Sequence, residues 1–372
     1  MIAIKKDYIR SIVFTVLYIL PFPIFCFSTE MFVNISFYIL ILCNFILMFA
    51  DPSWFNKKNS KVIAFASIFI ILGVINYLIK HSPLQYFLIP FMAIYACHYL
   101  EKFKFKFVTI DIIFIFLYLF YYNVYFSILP NIFIHPSGFD ENLFLRSSSN
   151  AIAISLNTLL YIYIILALIF NQKKYIYLKL FLISIINLVL ILIQQSRAGI
   201  FIAILLIFII IYQYSRTYQI PSKIKYISIL FFAVAMTVFI YQYYVTITDY
   251  ISIIGNVSGI SAYEEDVRSS LVKGFFADMD LNRLILGYPN GFKFGGTDYS
   301  YTYNTFLDVW NNYTIIAFFT LSIVIIKRFL FYKRYFFPIY ILLPFLIYSF
   351  GEPRFLPSYW DFSIYLLLFK KK

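Results

Sequence analysis

Long apolar runs separated by short polar breaks fill almost the whole chain. They predict helices near residues 8–27, 31–50, 62–79, 83–99, 107–129, 149–170, 176–193, 198–213, 226–246, 304–326, 336–350 and 357–369. Most approach the roughly 20 apolar residues that a membrane-crossing helix requires. The pattern therefore predicts an all-α polytopic membrane protein with about twelve transmembrane helices. Nine of them fall in residues 1–246, a long external loop covers 247–303, and three more fall in 304–372. The first run follows a basic start but is long and has no small-residue cleavage site, so it reads as a retained span. No repeat of 20 to 50 residues is visible along the chain.

Composition agrees with the pattern. The 372 residues are 62% hydrophobic and 13% charged, with a mean hydropathy of +0.84. A soluble domain holds about 45–50% apolar and about 25% charged residues, so no single soluble core would hide this surface. Cys26, Cys43 and Cys97 all lie in apolar stretches, at no metal-ligand spacing, and predict neither a disulfide framework nor a metal site. The net charge of +13 would suggest nucleic acid in a soluble protein. Here the cations sit in short clusters between apolar runs, from Lys5/Lys6/Arg10 through Lys57/Lys58/Lys61 to Lys327/Arg328 and Lys370/Lys371/Lys372. About 22 of the 30 Lys and Arg fall on one side of the predicted topology. That side is expected to be cytoplasmic, with both termini on it, and nucleic acid is not expected as a partner.

The few charges on the other side are the candidates for chemistry. Arg197 interrupts ILIQQSRAGIFIAIL, where only a very short turn separates two apolar helices. An arginine at membrane depth costs roughly 2.5–3.5 kcal/mol, so it either snorkels to the headgroups or pairs and lines a polar path. Arg146, Arg268, Arg283 and Arg354 lie in outward segments, where a solvated loop charge is the competing reading. Five guanidiniums on the less basic face suit an anionic ligand, because their planar fork matches phosphate oxygens. Glu264, Glu265, Asp266, Asp298 and Glu352 are the nearby acids; a carboxylate beside an arginine has its pKa lowered, which favours ion pairing over proton abstraction. Asp308 falls in the first turns of the tenth span, and His135 in the shorter outer loop; no metal-ligand cluster appears.

These segments bring a family into view. SRAGI at 196–200, DVRSSLVKGFFADMDLNRLILGYPNG at 266–291, RSSSNAIAI at 146–154 and YNTFLDVWNNYTIIAFF at 303–319 together resemble the O-antigen polymerase and O-antigen ligase superfamily. That family has about ten to fourteen spans, one long periplasmic loop near the C-terminus and an architecture like that of GT-C glycosyltransferases. Arg197 and Arg268 match its two arginines, Leu286, Gly287 and Tyr288 match its turn after the loop helix, and Asn304 matches the start of the following span. Tyr303 stands where ligases have histidine, and Thr314 where they have glycine, which weakens a ligase reading more than a polymerase reading.

The resemblance implies a metal-independent glycosyltransferase without a cofactor, in a bacterial inner membrane. It would join oligosaccharide repeat units carried on undecaprenyl diphosphate at the periplasmic face, with a chain-length regulator and a flippase as partners. Arg197 and Arg268 are then expected to be catalytic, with Glu265, Asp298 or Glu352 as the base, and Arg146, Arg283, Arg354, Tyr303 and Asn304 to contact substrate. The alternatives are a ligase acting on lipid A core, a lipid-linked oligosaccharide flippase, and a membrane scaffold without enzymatic activity. A flippase would be expected to show two related halves and polar residues deep in its spans.

Overall fold

The computed structural model describes residues 2–21, 30–57, 59–103, 105–127, 149–170, 174–194, 196–218, 275–276, 279–287, 292–294, 297–299, 304–351, 356, 358 and 360–371. At 2–5, 30–34, 121–127, 149–151, 174, 193–194, 197–198, 292–294, 297–299 and 350–351 it describes the backbone alone. The predicted ninth span, the shorter outer loop and most of the long one lie outside the described residues.

The chain forms α1 (Ile2–Tyr18), α2 (Glu30–Ala50), α3 (Ser60–Lys80), α4 (Gln85–Lys102), α5 (Phe107–Ser127), α6 (Ser149–Phe170), α7 (Lys174–Gln194) and α8 (Arg197–Thr217). After the undescribed stretch come α9 (Leu281–Leu286), a hairpin of β1 (Phe292–Phe294) and β2 (Thr297–Tyr299), α10 (Thr305–Asn312), α11 (Ile315–Leu330), α12 (Leu343–Gly351) and α13 (Asp361–Phe369). The hairpin is antiparallel, with Phe292 opposite Tyr299 and Phe294 opposite Thr297, and is the one departure from an all-helical reading among the described residues. Among the described residues four helices are long and apolar enough to cross a membrane: Ser60–Lys80, Ile152–Phe170, Tyr175–Leu192 and Gly199–Thr217.

The outer helices are apolar on both faces. On α7, Leu180, Ile183, Asn187, Leu190 and Ile191 are buried, while Leu178, Leu182, Ile185, Ile186 and Val189 on the opposite side are exposed. On α2 the exposed stripe is Ile35, Ile39, Leu42, Ile46 and Phe49. Stripes of this kind are costly in water and fit a hydrocarbon solvent. Inside them, α4, α6 and α13 are buried nearly all round and form the centre. α13 packs on α4, and α6 packs on α7 and α8.

Two predicted spans are interrupted, each for a local reason. The run 304–326 breaks into α10 and α11 because Thr314 is extended and its hydroxyl accepts the amide of Ile316 at 3.2 Å, which starts a new helix. The run 336–350 opens as a 3-10 turn, Ile339–Leu342, before Pro344 in the first turn of α12. Proline lacks an N–H and is tolerated at a helix start, where that donor is unused.

Pro90, inside α4, has a further consequence. It leaves the carbonyl of Tyr86, four residues earlier, without its helical donor. The hydroxyl of Tyr313, fully buried in the break between α10 and α11, donates to that carbonyl at 2.7 Å. Asn76 of α3 donates to the carbonyl of Asn312 at 3.1 Å and also to that of Tyr313, so the break is held from a second side.

At the end of the bundle that holds the α2–α3 connection, Asp51 accepts from Ser53 and from Lys102 at 2.6 Å, and the ring of His98 lies between Asp51 and Asn59. Burial pushes the Asp51 carboxyl upward, but the bonds from Lys102 and Ser53 outweigh it and hold the pKa at about 2. Deeper in, Asp111 of α5 accepts from both Tyr163 of α6 and Lys179 of α7.

Two outcomes follow from these contacts. Tyr313→Phe removes the donor to the Tyr86 carbonyl and is expected to destabilise the detergent-solubilised protein by about 1–3 kcal/mol; an unchanged melting temperature would mean that another group satisfies that carbonyl. Asp51 has a folded pKa below its unfolded one, so its contribution is present above about pH 4 and fades as pH falls toward about 2. Asp51→Asn should flatten this acid limb of the melting-temperature profile; an identical limb in the variant would contradict the assignment.

Candidate functional site

The turn between α7 and α8 is built by three small residues around Arg197. Ser196 precedes α8, is extended, and accepts the amide of Gly199 with its hydroxyl at 3.2 Å, closing the first turn. Arg197 is the first residue of α8, where the helix dipole presents its positive end; its side chain lies outside the described atoms. At Gly199 any side chain would collide with α6, since a Cβ would stand 2.8 Å from the Cβ of Ala153 and 2.9 Å from the Ser196 hydroxyl. Glycine therefore sets how closely α8 approaches α6.

A buried polar network lies against this turn. Asn157 of α6 donates to the Gly199 carbonyl at 2.8 Å and to the Tyr348 hydroxyl of α12 at 2.5 Å. Its own carbonyl accepts from Asn187 of α7 at 2.9 Å, and Asn187 accepts from Tyr118 of α5 at 3.1 Å. Asn157 and Asn187 have no exposed surface. Five helices are thus tied together by neutral side chains beside the first turn of α8, in an interior where each bond has no competing water.

A second assembly forms where α9 meets α10 and the end of α3. Asp280 caps α9 by accepting the Arg283 amide at 2.6 Å. α9 ends at Gly287 with φ +71°, a conformation that side chains resist, and a Cβ there would stand 2.3 Å from the Trp310 carbonyl. The indole of Trp310 donates to the Leu284 carbonyl at 2.8 Å, and Lys80 of α3 donates to the Gly287 carbonyl at 2.7 Å. Lys80, Asp280 and Arg283 lie within electrostatic reach of one another. At the start of α10, Asn304 accepts the amides of Phe306 at 2.9 Å and Leu307 at 3.2 Å. Asp308, one turn on, is buried. α12 packs against both α8 and α10 and so stands between the two assemblies.

Of the residues predicted from sequence, Arg283 and Asn304 belong to the second assembly, and Arg197 starts α8 in the first. The side chain of Asn304 has a local task as a helix cap. Arg146, Glu265, Arg268, Tyr303 and Arg354 lie outside the described residues, as do Glu264, Asp266, His135 and Glu352; Asp298 lies in β2, with only its backbone described. Among the described residues no group of three or more His, Cys, Asp or Glu is arranged to hold a metal ion.

Four residues escaped sequence reasoning. Asn157, Asn187 and Asn76 are single polar residues within apolar runs, a pattern that marks interhelical hydrogen bonding. Asp361 is the fourth: buried, it accepts the amides of Leu356 and Ser358 at 3.0 and 2.8 Å and so shapes the end of the segment that carries Arg354. Compared with known protein families, curated proteins and solved structures, the chain matches none.

Gly287→Ala is expected to undock α9, because both the backbone conformation and the Trp310 carbonyl oppose a methyl group. The cost expected for such strain is about 1–3 kcal/mol. Limited proteolysis should cut the variant faster within residues 247–303 while the remaining helices stay intact; equal cleavage of variant and parent would show that this contact does not hold the segment.

Proposed function

We propose that the chain is a polysaccharide polymerase of about twelve transmembrane helices in a bacterial inner membrane. In this reading the strongly basic end faces the cytoplasm and the α7–α8 turn faces the periplasm. The enzyme extends a glycan carried on undecaprenyl diphosphate by transferring it to the non-reducing-end hydroxyl of another lipid-linked repeat unit. The observation that carries the reading is the construction of the SRAGI turn. Ser196, Gly199 and Asn157 fix the start of α8, which sets Arg197 at a helix N-terminus beside a polar network in an otherwise apolar bundle.

The chemistry asks for little else. The anomeric C–O bond to the diphosphate breaks as the bond to the acceptor oxygen forms, and negative charge collects on the leaving diphosphate. Arginines at that point lower the barrier by stabilising this charge. Arg197 and Arg268 take that role, with Arg146, Arg283 and Arg354 as further contacts to substrate. The acceptor proton passes to a carboxylate, for which Glu265, Asp298 and Glu352 are the candidates. Tyr303 and Asn304 border the same segment, and Asn304 contributes by starting α10. The docking of α9 through Gly287 places Arg283 of that helix beside Lys80 and Asp280.

Arg197→Ala and Arg268→Ala should each insert normally yet leave cells displaying single repeat units instead of long chains. Normal chain lengths in both variants would remove the site. Purified protein supplied with lipid-linked repeat units should make polymer in excess EDTA. Transfer only to a core acceptor would identify a ligase, and movement of the lipid without bond formation a flippase.

A further inference from the structure

At the opposite, basic end of the bundle Arg328, near the end of α11, is only 1% exposed. Its Nε donates to the Leu367 carbonyl at 2.9 Å, one Nη donates to the Phe337 carbonyl, and the guanidinium lies 4.3 Å from the centre of the Tyr335 ring. The other Nη is buried without a partner, and among the described residues no carboxylate pairs with this cation. Two carbonyls and a ring face leave the charge itself uncompensated in a low-dielectric interior.

The surroundings raise the demand for an anion. The amide of Phe336 donates to the Lys370 carbonyl at 3.0 Å and Tyr335 bridges to Lys371, so the segment after α11 is fastened to the residues after α13. Lys327, Arg334 and Lys371 all lie within electrostatic reach of Lys61, and all four side chains are exposed. Cations held this closely repel unless an anion lies among them. Beside them the same turn presents Phe329, Leu330, Phe331 and Tyr332 as exposed apolar surface. A small free anion would satisfy the charges and leave that surface bare, whereas a lipid satisfies both.

The geometry points to a binding site for an anionic phospholipid at this corner, with phosphate among Lys61, Arg334 and Lys371 next to the buried Arg328, and acyl chains along the exposed face at the end of α11. A headgroup with two phosphates fits the number of cations best. This site is separate from the proposed reaction centre and stands or falls independently of it.

The test uses the full-length protein purified in neutral detergent, titrated with cardiolipin, phosphatidylglycerol or phosphatidylcholine and read by native mass spectrometry. Cardiolipin should be retained most strongly, phosphatidylglycerol less and phosphatidylcholine least. The triple variant Lys61→Gln/Arg334→Gln/Lys371→Gln, confined to exposed side chains, should bind cardiolipin at least about tenfold more weakly, as expected when several charge contacts are lost. Its lipid-free melting temperature should be no lower than that of the parent, because the substitutions remove mutually repelling charges. Equal cardiolipin affinity in parent and triple variant, or equal retention of phosphatidylcholine, would overturn the proposal. Displacement of cardiolipin by millimolar inorganic pyrophosphate, with equal stabilisation, would instead assign the corner to a free anion and overturn the lipid. Arg328→Lys, which keeps the charge and loses the fork of donors, should bind less lipid than the parent.

Discussion

A backbone carbonyl that loses its helical donor must find another, and Pro90 frees one such carbonyl at Tyr86. The surrounding helices are arranged to answer it. Tyr313 reaches the carbonyl because the chain breaks between α10 and α11, and that break leaves carbonyls of its own at Asn312 and Tyr313, which Asn76 takes up. The kink in one helix and the gap between two others therefore satisfy each other. Together they fix where α3, α4, α10 and α11 meet, and α9 docks on that junction through Gly287 and Trp310.

The same requirement explains why the other polar contacts are mostly neutral. Asn157 uses both its amide hydrogens and its carbonyl, so it joins α6 to α7, α8 and α12 without burying charge. A leucine there would leave the Asn187 amide without its acceptor and the Gly199 carbonyl without this donor, and an unmet polar group in such an interior costs more than the bond itself stabilises. Where charge is buried, its partners differ in kind: Asp111 meets Lys179, whose side chain is partly exposed. Asp361 is buried against two backbone amides, and Arg328 against two backbone carbonyls and a ring face, with one of its Nη atoms unpartnered.

How much of this was legible in the sequence depends on which property an element displays. Hydropathy located α2 through α8 to within a few residues, because lipid and protein interior both select apolar side chains. It had no means of telling centre from rim: α6 and α7 are equally apolar, yet 89% of the α6 window is buried against 44% for α7. Lipid tails resemble leucine, so the partition between protein contact and lipid contact leaves little trace in composition. The break at Tyr313–Thr314 was visible in principle, since Asn-Asn-Tyr-Thr is a poor helical run followed by a capping residue. Arg197 stood out by charge, whereas Asn157, which holds its helix in place, did not. Arg328 was grouped with the cytoplasmic cluster by its position beside Lys327, and only the fold reveals that its side chain turns inward.

The two assemblies are linked through α12. Tyr348 of α12 bonds Asn157, which bonds the first turn of α8, while α12 also packs on α10. A shift of α12 is therefore felt at both Arg197 and the α9 docking surface. Residues that share such a network do not contribute additively. The loss of one hydrogen bond at Asn157 would move the helix that begins with Arg197 without touching the arginine, and the consequence would be read at both assemblies together. Among the described residues, the start of α8, and with it the backbone position of Arg197, is set by uncharged neighbours: the Ser196 hydroxyl, Gly199 and the amide of Asn157.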